Sequence, residues 1–339
     1  MRAAFLVKYG ASQTAFEVRE TEKPILSPDQ VLIKVAAFGL NFADVMARLG
    51  LYKAAPPLPA ILGYDVVGHV EECGSNISRL KAGDRVVALT RFGGYAEYAV
   101  AEEAMAHKIP ETFSAGIAVA LATQYSTAYF LSHTMANLQE GDRVLVHAAA
   151  GGVGTALVQL ALLKKCMVFG TCSSMEKIEY VKKLGVHHPI NYKKVDFEKE
   201  VRLLNKDTGL DVIFDPVGGT SVRKGFRLLG AGGRLLTFGV SSMNKNPSFF
   251  GKLKVLFQFG VYHPLQFLGG SKGMIGVNML TVGEERPDKV ANAMKAVIQL
   301  TEKGDLNPFV GAEYKIEQLA EAHQFLESRK SMGKIVVKW

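Results

Sequence analysis

The sequence has few cysteines and no long apolar run. Its 339 residues include three cysteines, Cys73, Cys166 and Cys172, which form no even disulfide framework and lack the C-x-x-C spacing of structural zinc sites. No apolar run reaches the roughly 18 residues of a transmembrane helix. The opening MRAAFLVKYG becomes polar too soon for a signal peptide. We therefore expect a cytoplasmic protein without integral membrane association.

The sequence also lacks a concentrated basic segment. Forty Lys and Arg residues exceed 32 Asp and Glu residues, for a net charge of +8, but they are scattered among acidic ones, as in KKVDFEKEVRLLNKD. Nucleic-acid-binding domains cluster their basic residues on one face or interleave them with aromatics. We expect no nucleic-acid partner, with RNA binding as the weakest alternative. A modest positive field would help to attract a polyanionic cofactor.

What the sequence does contain is two successive patterns. Residues 1–123 show short apolar runs separated by Gly, Pro, Asp or Asn, which indicates a β-rich domain. In residues 124–299 strands alternate with helices, which predicts an α/β domain whose parallel sheet is covered on both faces. We expect residues 300–339 to return to the first domain. The strands expected in the second domain are Val144–Ala148, Met167–Thr171, Pro189–Asn191, Asp211–Asp215, Arg234–Gly239 and Met274–Asn278.

The segment VLVHAAAGGVGTALVQLALL has the layout of a dinucleotide-binding βαβ unit. Ala149, Gly151 and Gly154 occupy the three glycine positions of G-x-G-x-x-G, while Gly152 and Val153 complete the turn. A glycine at the central position lets the backbone approach the pyrophosphate, and the N-terminus of the following helix offers free N–H groups to the phosphates. The alternative is a tight βα turn that binds no ligand.

The end of the second strand of this unit indicates which dinucleotide binds. A carboxylate there would hydrogen-bond the ribose 2′-OH of NAD and repel a 2′-phosphate. The sequence instead has Ser173 and Ser174, with Lys177 one turn into the next helix and Tyr192 after the third strand. Hydroxyl and ammonium groups suit a phosphate, so we predict NADPH as the cofactor. Taken alone, Lys177 also fits a solvated helix residue.

Several motifs along the chain are specific in combination. They are GLNFADVMARLGLY (Gly39–Tyr52), GYDVVGHVEECGSNI (Gly63–Ile77), HAAAGGVG, DPVGG (Asp215–Gly219) and the tail FLESRKSMGKIVV. With these motifs the chain resembles the zinc-independent quinone oxidoreductases of the medium-chain dehydrogenase/reductase superfamily, and within them the vesicle amine transport protein 1-like branch. The resemblance spans essentially the whole chain.

The resemblance implies a fold, a reaction and a quaternary structure. A GroES-like domain would be formed by residues 1–123 and 300–339, with a Rossmann domain in residues 124–299 and homodimers joined through the Rossmann domains. The reaction of the family is hydride transfer from NADPH to quinones or other activated α,β-unsaturated carbonyl compounds. The alternative is a nucleotide-loaded binding protein that associates with a membrane or a partner and turns over little.

The resemblance also bears on metal binding. Zinc alcohol dehydrogenases of this superfamily have a cysteine ligand where this chain has Asn41, and Gly-His-Glu where it has Gly63, Tyr64 and Asp65. We therefore expect no metal site. Quinones and conjugated enones are electron-poor, so positioning them over a nicotinamide supplies much of the catalysis without a Lewis acid.

Two residues of the first domain are candidate catalytic residues. Asn41 follows a predicted strand, where its amide would hydrogen-bond the nicotinamide carboxamide, its ribose or the substrate oxygen; the alternative is an Asn-type turn. Tyr52 would donate a phenolic hydrogen bond to the developing oxyanion; the alternative is a surface or dimer-interface aromatic. In both cases the sequence leaves the two alternatives open.

The remaining candidates are cofactor contacts, placed by the family match and by strand ends, because ligands of open α/β sheets bind beyond the carboxyl ends of the strands. The functional and structural interpretations are evenly balanced for Asn278 and Lys334. These candidates are Thr127 at the start of the Rossmann domain, Gly239 and Ser241 after the fifth strand, Val277 and Asn278 at the end of the sixth, and Lys334 in the tail as a ligand of the 2′-phosphate.

Residues 246–270 are rich in phenylalanine, with five of the 19 phenylalanines of the chain. They fit a wall of an apolar pocket, a dimer interface or a membrane-surface helix. The polar face of such a helix would be narrow, which makes a poor interfacial amphipath. Pocket or dimer packing is therefore favoured.

Overall fold

The structure is a computed structural model that describes residues 1–241 and 257–339. It contains two compact units, one formed by Met1–Ser126 and Pro287–Trp339 and the other by Thr127–Arg286. The strands, numbered along the chain, are β1 (Arg2–Leu6), β2 (Phe16–Glu20), β3 (Gln30–Leu40), β4 (Ala60–Ile61), β5 (Asp65–Cys73), β6 (Arg85–Leu89), β7 (Tyr98–Glu102), β8 (Ala106–Lys108), β9 (Arg143–Val146), β10 (Met167–Cys172), β11 (His188–Asn191), β12 (Leu210–Asp215), β13 (Leu229–Thr237), β14 (Gly273–Gly276), β15 (Val310–Lys315) and β16 (Lys334–Lys338).

The described α-helices range in length from four residues to the 16 of Pro287–Glu302, which belongs to the first unit. Two π-helical segments, Leu121–Tyr125 and Phe130–Met135, flank the helix Ser126–Tyr129, in which the chain passes from the first unit to the second. The α-helices are Ser12–Ala15, Phe42–Arg48, Ala115–Ala120, Ser126–Tyr129, Gly152–Leu163, Met175–Lys183, Phe197–Leu204, Thr220–Leu228, Pro264–Gly270, Met279–Glu285, Pro287–Glu302 and Leu319–Glu327, and the 3₁₀ segments are Glu103–Met105 and Ile316–Gln318.

The first unit is built around a sheet in which β3 is central. Within the described residues the strand order is β15-β16-β3-β5-β6-β8, β7 also pairs with β3, and a smaller sheet has the order β2-β1-β4. The antiparallel register pairs Leu40 with Ile335 of β16 and Phe38 with Val66 of β5. The residue after β3 and the first residues of β5 and β16 therefore lie at the same end of the sheet.

The second unit contains a parallel sheet with the order β11-β10-β9-β12-β13-β14 in the described part of the chain. The chain builds β10 and β11 on one side of β9 and then returns to β12 on its other side, where the strands pair in parallel. This reversal is the topological switch point at which open α/β sheets bind their ligands. The predicted fold class, a β-rich domain joined to a Rossmann-type parallel sheet, is confirmed.

The second boundary between the units lies before the helix Pro287–Glu302, whereas the sequence pattern placed it near residue 299. This helix buries five apolar residues and packs against Leu121–Tyr125 and Glu103–Met105, which belong to the first unit. Strand–helix alternation does not reveal which sheet the last helix covers. The buried residues are Val290, Ala293, Met294, Val297 and Ile298.

Candidate functional site

The glycine turn between β9 and the helix Gly152–Leu163 leaves open space beside Gly151. Gly151 is the N-cap of this helix and makes no side-chain cap hydrogen bond. A Cβ built on Gly151 would meet, within 4 Å, the carbonyl oxygen of Ala148 at 3.2 Å and nothing else. Packing within the described residues therefore does not explain the glycine. Space beside an uncapped helix N-terminus is what a phosphate group requires.

Gly154 is constrained in the opposite way. A Cβ on Gly154 would lie 2.1 Å from the carbonyl oxygen of Ala148 and 2.9 Å from Cα of Ala149, so a side chain would force the helix away from the turn. Ala148 itself has a left-handed φ of 54°, and the amide of Ala149 donates to the carbonyl of Thr171 at 3.1 Å. The turn is thus held rigidly, and its open side is the one at Gly151.

The hydroxyl and ammonium groups predicted to bind a 2′-phosphate follow β10 directly. Ser173 and Ser174 come after this strand, and Ser174 caps the helix Met175–Lys183 by accepting from the amide of Lys177 at 3.3 Å. Burial lowers the pKa of Lys177, because a buried ammonium loses hydration. A partly desolvated ammonium gains more from an anionic ligand than a fully hydrated one.

The residues that follow β11 also lie near the predicted 2′-phosphate site. The amide of Tyr192 donates to the carbonyl of Cys172 at 3.1 Å, so the residues after β11 lie beside those after β10. After burial and the opposing effects of Cys172 and Glu176, the charge of Lys193 is a further cause that lowers the pKa of Lys177. Two ammonium groups therefore lie near each other. Sequence reasoning missed Lys193, although its position directly after Tyr192 could have indicated it.

Three of the other predicted contacts lie just beyond the ends of β13 and β14. A Cβ on Gly239 would lie 2.8 Å from the carbonyl oxygen of Pro216, and the amide of Ser241 donates to the same oxygen at 3.2 Å. The amide of Val277 donates to the carbonyl of Thr237 at 2.9 Å. These backbone positions lie at the carboxyl edge of the parallel sheet, the same edge as the glycine turn.

The structure gives Asn278 a structural role and places Thr127 in a buried helix. The side chain of Asn278 caps the helix Met279–Glu285 by accepting from the amide of Leu280 at 3.1 Å. Thr127 is buried in the helix between the two π-helical segments. π-Helical segments often occur near functional sites, so Thr127 stays a candidate on position alone.

Asn41 belongs to a buried group of side chains that we call the strand-end cluster: Asn41, Asp65, Lys334 and Thr123. Asp65 and Lys334 are fully buried, and their Oδ2 and Nζ atoms are 2.6 Å apart. The Lys334 ammonium also donates to Oδ1 of Asn41 at 3.0 Å, while Nδ2 of Asn41 donates to Oδ1 of Asp65. Thr123 donates its hydroxyl to the same Asp65 oxygen at 3.0 Å. These contacts fix the position and the orientation of the Asn41 amide.

Gly39 makes room for the strand-end cluster. A Cβ on this residue would lie 2.1 Å from Oδ2 of Asp65 and 2.1 Å from Cε of Lys334. The side chains of Asp65 and Lys334 therefore pack directly against the backbone of β3 at Gly39. Gly39 opens the first motif of the family resemblance, but its contact partners are distant in sequence.

A second buried carboxyl group lies beside the strand-end cluster. The amide of Asn41 donates to Oδ2 of Asp44 at 2.8 Å. Burial raises the pKa of Asp44 to about 7, with a further increase from the charge of Asp65 and opposing effects of the Asn41 amide and Lys334. Near neutral pH this carboxyl group is therefore partly protonated.

The structure contradicts the prediction that Lys334 binds the 2′-phosphate of the cofactor. Its side chain is fully buried in the first unit, and its ammonium is paired with Asp65 and Asn41. Releasing it would leave the Asp65 carboxylate buried without a cation, which is strongly unfavourable. Lys334 was assigned to the cofactor from its place in the tail, which does not show what the side chain packs against.

Comparison with known proteins identifies the family of the chain. The alcohol dehydrogenase GroES-like domain matches residues 27–111, and a family described as zinc-binding dehydrogenase matches residues 184–337. The human quinone oxidoreductase is 31% identical over 99% of this chain and 97% of its own length. The chain belongs to the medium-chain dehydrogenase/reductase superfamily. The resemblance of its sequence motifs to this superfamily is confirmed.

The relatives of this chain include a protein with a different name and a further quinone oxidoreductase. The human synaptic vesicle membrane protein VAT-1 homolog is 34% identical over 99% of this chain and 86% of its own length. The crystal structure of the Escherichia coli quinone oxidoreductase complexed with NADPH matches with a TM-score of 0.87 and 25% identity, covering 100% of both chains. Family membership therefore identifies the fold. The names of the relatives differ: some are quinone oxidoreductases and others are synaptic vesicle membrane protein VAT-1 homologs.

The positions of the zinc ligands in zinc-dependent members of the superfamily hold different groups here. Asn41 and Asp65 are engaged with the Lys334 ammonium, so a cation already neutralises the buried carboxylate. In residues 1–241 and 257–339, no group of three or more His, Cys, Asp or Glu side chains is arranged to hold a metal ion. In the same residues, no helix is both long and apolar enough to cross a membrane.

The predicted catalytic residue Tyr52 lies in an aromatic group with Tyr64 and Phe92. The rings of Tyr52 and Tyr64 meet edge to face with centroids 6.4 Å apart, and those of Tyr64 and Phe92 are 4.9 Å apart. Burial, followed by the charge of Asp44, raises the pKa of Tyr64 far above its usual value. Its hydroxyl therefore stays protonated and is available only as a neutral donor. Sequence reasoning considered Tyr64 solely as the replacement of a zinc ligand.

Proposed function

We propose that this chain is an NADPH-dependent, zinc-independent reductase that transfers hydride to quinones or other activated α,β-unsaturated carbonyl compounds. The observation that supports it most directly is the edge of the parallel sheet beyond β9, β10 and β11. There an uncapped helix N-terminus with open space at Gly151 is followed by two serines and a pair of neighbouring lysines. These are the groups that a pyrophosphate and a 2′-phosphate require.

Different residues of the second unit would bind different parts of the cofactor. Backbone N–H groups of Gly152, Val153 and Gly154 would bind the pyrophosphate. Ser173, Ser174, Lys177, Tyr192 and Lys193 would surround the 2′-phosphate, and the backbone at Gly239, Ser241 and Val277 would border the nicotinamide. When bound, NADPH supplies the hydride. The Escherichia coli relative was crystallised with NADPH, which supports the same choice of cofactor here.

The first unit would orient the acceptor. We assign the Asn41 amide and the Tyr52 hydroxyl as hydrogen-bond donors to the acceptor oxygen, which gains negative charge as it is reduced. Fixed donors of this kind suffice for electron-poor quinones and enones, whereas an unactivated ketone needs stronger polarisation. The side chains at the zinc-ligand positions hold Lys334, which favours the first class of substrate.

The proposal is tested by following the loss of NADPH absorbance with a panel of quinones, enones and simple ketones. We expect turnover with quinones and enones and much slower turnover with ketones. Thermal unfolding with NADPH and with NADH measures cofactor choice independently, because a ligand that binds the folded state raises the unfolding temperature by mass action. Equal stabilisation by both nucleotides would contradict the assignment of the 2′-phosphate site.

The second candidate is a nucleotide-loaded binding protein with little turnover. The similarity to proteins named synaptic vesicle membrane protein VAT-1 homolog favours it. The same experiment separates the two functions. NADPH-induced stabilisation without turnover of any acceptor would support the binding protein.

We also propose that two chains associate through their second units. Among the described strands, β14 is at the edge of the parallel sheet. The segment before β14 exposes large apolar side chains: Phe257 is 71%, Val261 91%, Leu265 67% and Leu268 76% exposed. A cluster of such residues indicates an interaction surface. Part of the phenylalanine-rich stretch, residues 246–256, lies outside the described residues. Light scattering of the wild type and of Leu268→Asp tests the proposal, with a dimer expected for the first and a monomer for the second.

A further inference from the structure

Charged groups contact both ends of the Asn41 side-chain amide, in addition to the capping box that Asn41 and Asp44 form at the start of the helix Phe42–Arg48. Oδ1 of Asn41 accepts from the Lys334 ammonium at 3.0 Å, and Nδ2 donates to the Asp65 carboxylate. Rotating the amide by half a turn would place the oxygen against the carboxylate and the NH₂ group against the ammonium. Both contacts would be repulsive, so the ion pair allows one orientation only.

The ion pair can impose this orientation because it is buried and held in place. Lys334 and Asp65 are both fully buried, where charges interact strongly and an unpaired polar group is unfavourable. Thr123 holds Asp65 from another segment of the chain by donating to Oδ1 at 3.0 Å. The space for the lysine stem exists because Gly39 has no side chain.

An amide has two N–H donors and a carbonyl oxygen. In Asn41, Asp65 uses one N–H, and the ammonium lies on the oxygen. A cation on the carbonyl oxygen polarises the amide, and hydrogen bonds in such a chain strengthen one another. The ion pair therefore orients and polarises the second N–H of Asn41 as a hydrogen-bond donor.

We infer that the Lys334–Asp65 pair positions Asn41 so that its second Nδ2–H is a strengthened donor to the carbonyl oxygen of the acceptor. Lys334 and Asp65 are positioning residues in this assignment, and Asn41 is the residue that touches substrate. The inference rests on the proposed function. It goes beyond that function by giving the ammonium the task of orienting the donor, in place of a direct contact with the cofactor.

The test compares the double variant Lys334→Met/Asp65→Asn with Asn41→Ala and with the triple variant. The double variant removes both charges together, because either single change leaves a buried charge unpaired and threatens folding. We expect the double variant to lower kcat with 1,4-naphthoquinone at least tenfold, with the NADPH dissociation constant within threefold of the wild type. Asn41→Ala should give a similar loss. The triple variant should lose no more than twofold beyond Asn41→Ala, since all three act through one amide.

A matched control is available on the same strand. Lys338→Met/Glu313→Gln removes an ion pair of β16 with β15 that is about half exposed, and it should leave kcat unchanged. If the losses of the double variant and Asn41→Ala multiply in the triple variant, the pair does not act through Asn41. Wild-type kcat in the double variant would also overturn the inference.

A second readout does not depend on turnover. The affinity of 1,4-naphthoquinone for protein loaded with NADP⁺, measured by calorimetry, should fall by the same factor in the double variant as in Asn41→Ala. If the wild type turns over no quinone yet shows this pattern, the proposed reaction fails and the positioning role stands. If naphthoquinone binds the wild type and the double variant equally, the positioning role fails.

Discussion

The glycine turn and the strand-end cluster represent two ways of building a polar site. At the glycine turn the donors are backbone N–H groups at a helix start without a side-chain cap, and the space beside Gly151 is open. In the strand-end cluster the charged groups are fully buried and satisfy one another, and a Cβ at Gly39 would have no room. The first arrangement is suited to receiving a ligand. The second is suited to fixing one side chain in place.

A methyl group added to a glycine should therefore affect a different property at each site: the stability of the fold at the strand-end cluster, and the affinity for the ligand at the glycine turn. The largest effect is expected for Gly39→Ala. Its Cβ would lie 2.1 Å from both Asp65 Oδ2 and Lys334 Cε, which forces apart a buried ion pair and should lower the free energy of unfolding by about 3 kcal/mol. Urea unfolding measures this loss. Gly283→Ala, which meets nothing within 4 Å, is the control, and a similar loss in both variants would contradict the packing argument.

The next effect concerns the carboxyl group beside the strand-end cluster. Because burial raises the pKa of Asp44 to about 7, the folded state binds a proton more tightly than the unfolded state. Ionisation of Asp44 therefore lowers stability as pH rises from about 4, its pKa when unfolded, to about 7, and the loss is constant above that. Asp44→Asn should gain roughly 2 kcal/mol relative to the wild type between pH 5 and 6.5, at about 1.4 kcal/mol per pH unit.

Urea unfolding of both proteins at several pH values measures this gain. Asp84→Asn is the control: the hydrogen bond from the Lys108 ammonium lowers the pKa of the Asp84 carboxyl, so this group is ionised in the folded and unfolded states between pH 5 and 6.5, and the difference from the wild type should stay constant there. A constant difference between Asp44→Asn and the wild type across this pH range would show that the Asp44 pKa is not raised.

At the glycine turn the added methyl group should affect the ligand and leave the fold intact. Gly151→Ala meets one protein atom at 3.2 Å, so its unfolding free energy should stay within about 1 kcal/mol of the wild type. Its methyl group would occupy the space that the pyrophosphate needs. We expect the dissociation constants of NADPH and NADH to rise by the same factor, roughly 10- to 30-fold, or about 1.4 to 2 kcal/mol. Fluorescence titration measures both, and unchanged affinity would show that the phosphates bind elsewhere.

The same contrast explains what the sequence could predict. The glycine turn is one contiguous segment. Its glycines and the helix N-terminus that follows them indicate phosphate binding without any knowledge of distant residues. β10 and β12 likewise begin and end within one residue of the predicted bounds, because short β-branched runs bounded by turns are local signals. The helix Phe197–Leu204 was expected only as one of the alternating elements, without bounds, although Asp196 caps it by accepting from the amides of Glu198 and Lys199.

The strand-end cluster could not be predicted in the same way. Asn41, Asp65 and Lys334 come from three distant segments, and they meet only because β3 lies between β5 and β16 in the sheet. The identity of Lys334 as a basic residue near the chain end fits a phosphate ligand and a buried ion pair equally well. Only the tertiary packing shows that Lys334 belongs to a buried ion pair. In the same way, only the packing shows that the helix Pro287–Glu302 belongs to the first unit.

The smallest predicted effect tests the charged end of the ligand site that the sequence did indicate. Lys177→Ala removes one of two neighbouring ammonium groups, so a 2′-phosphate would lose one charge-assisted hydrogen bond and keep the attraction of Lys193. We expect NADPH affinity to fall about tenfold, within the range for a hydrogen bond to a charged group, and NADH affinity to change less than twofold. Lys182→Ala, on the same helix and paired with Glu179 on the surface, is the control and should alter neither. Equal losses for NADPH and NADH would place Lys177 away from the 2′-phosphate. An additional loss in Lys177→Ala/Lys193→Ala that is confined to NADPH would show that both lysines bind this phosphate, which distinguishes a site built by two strands from a single favourable contact.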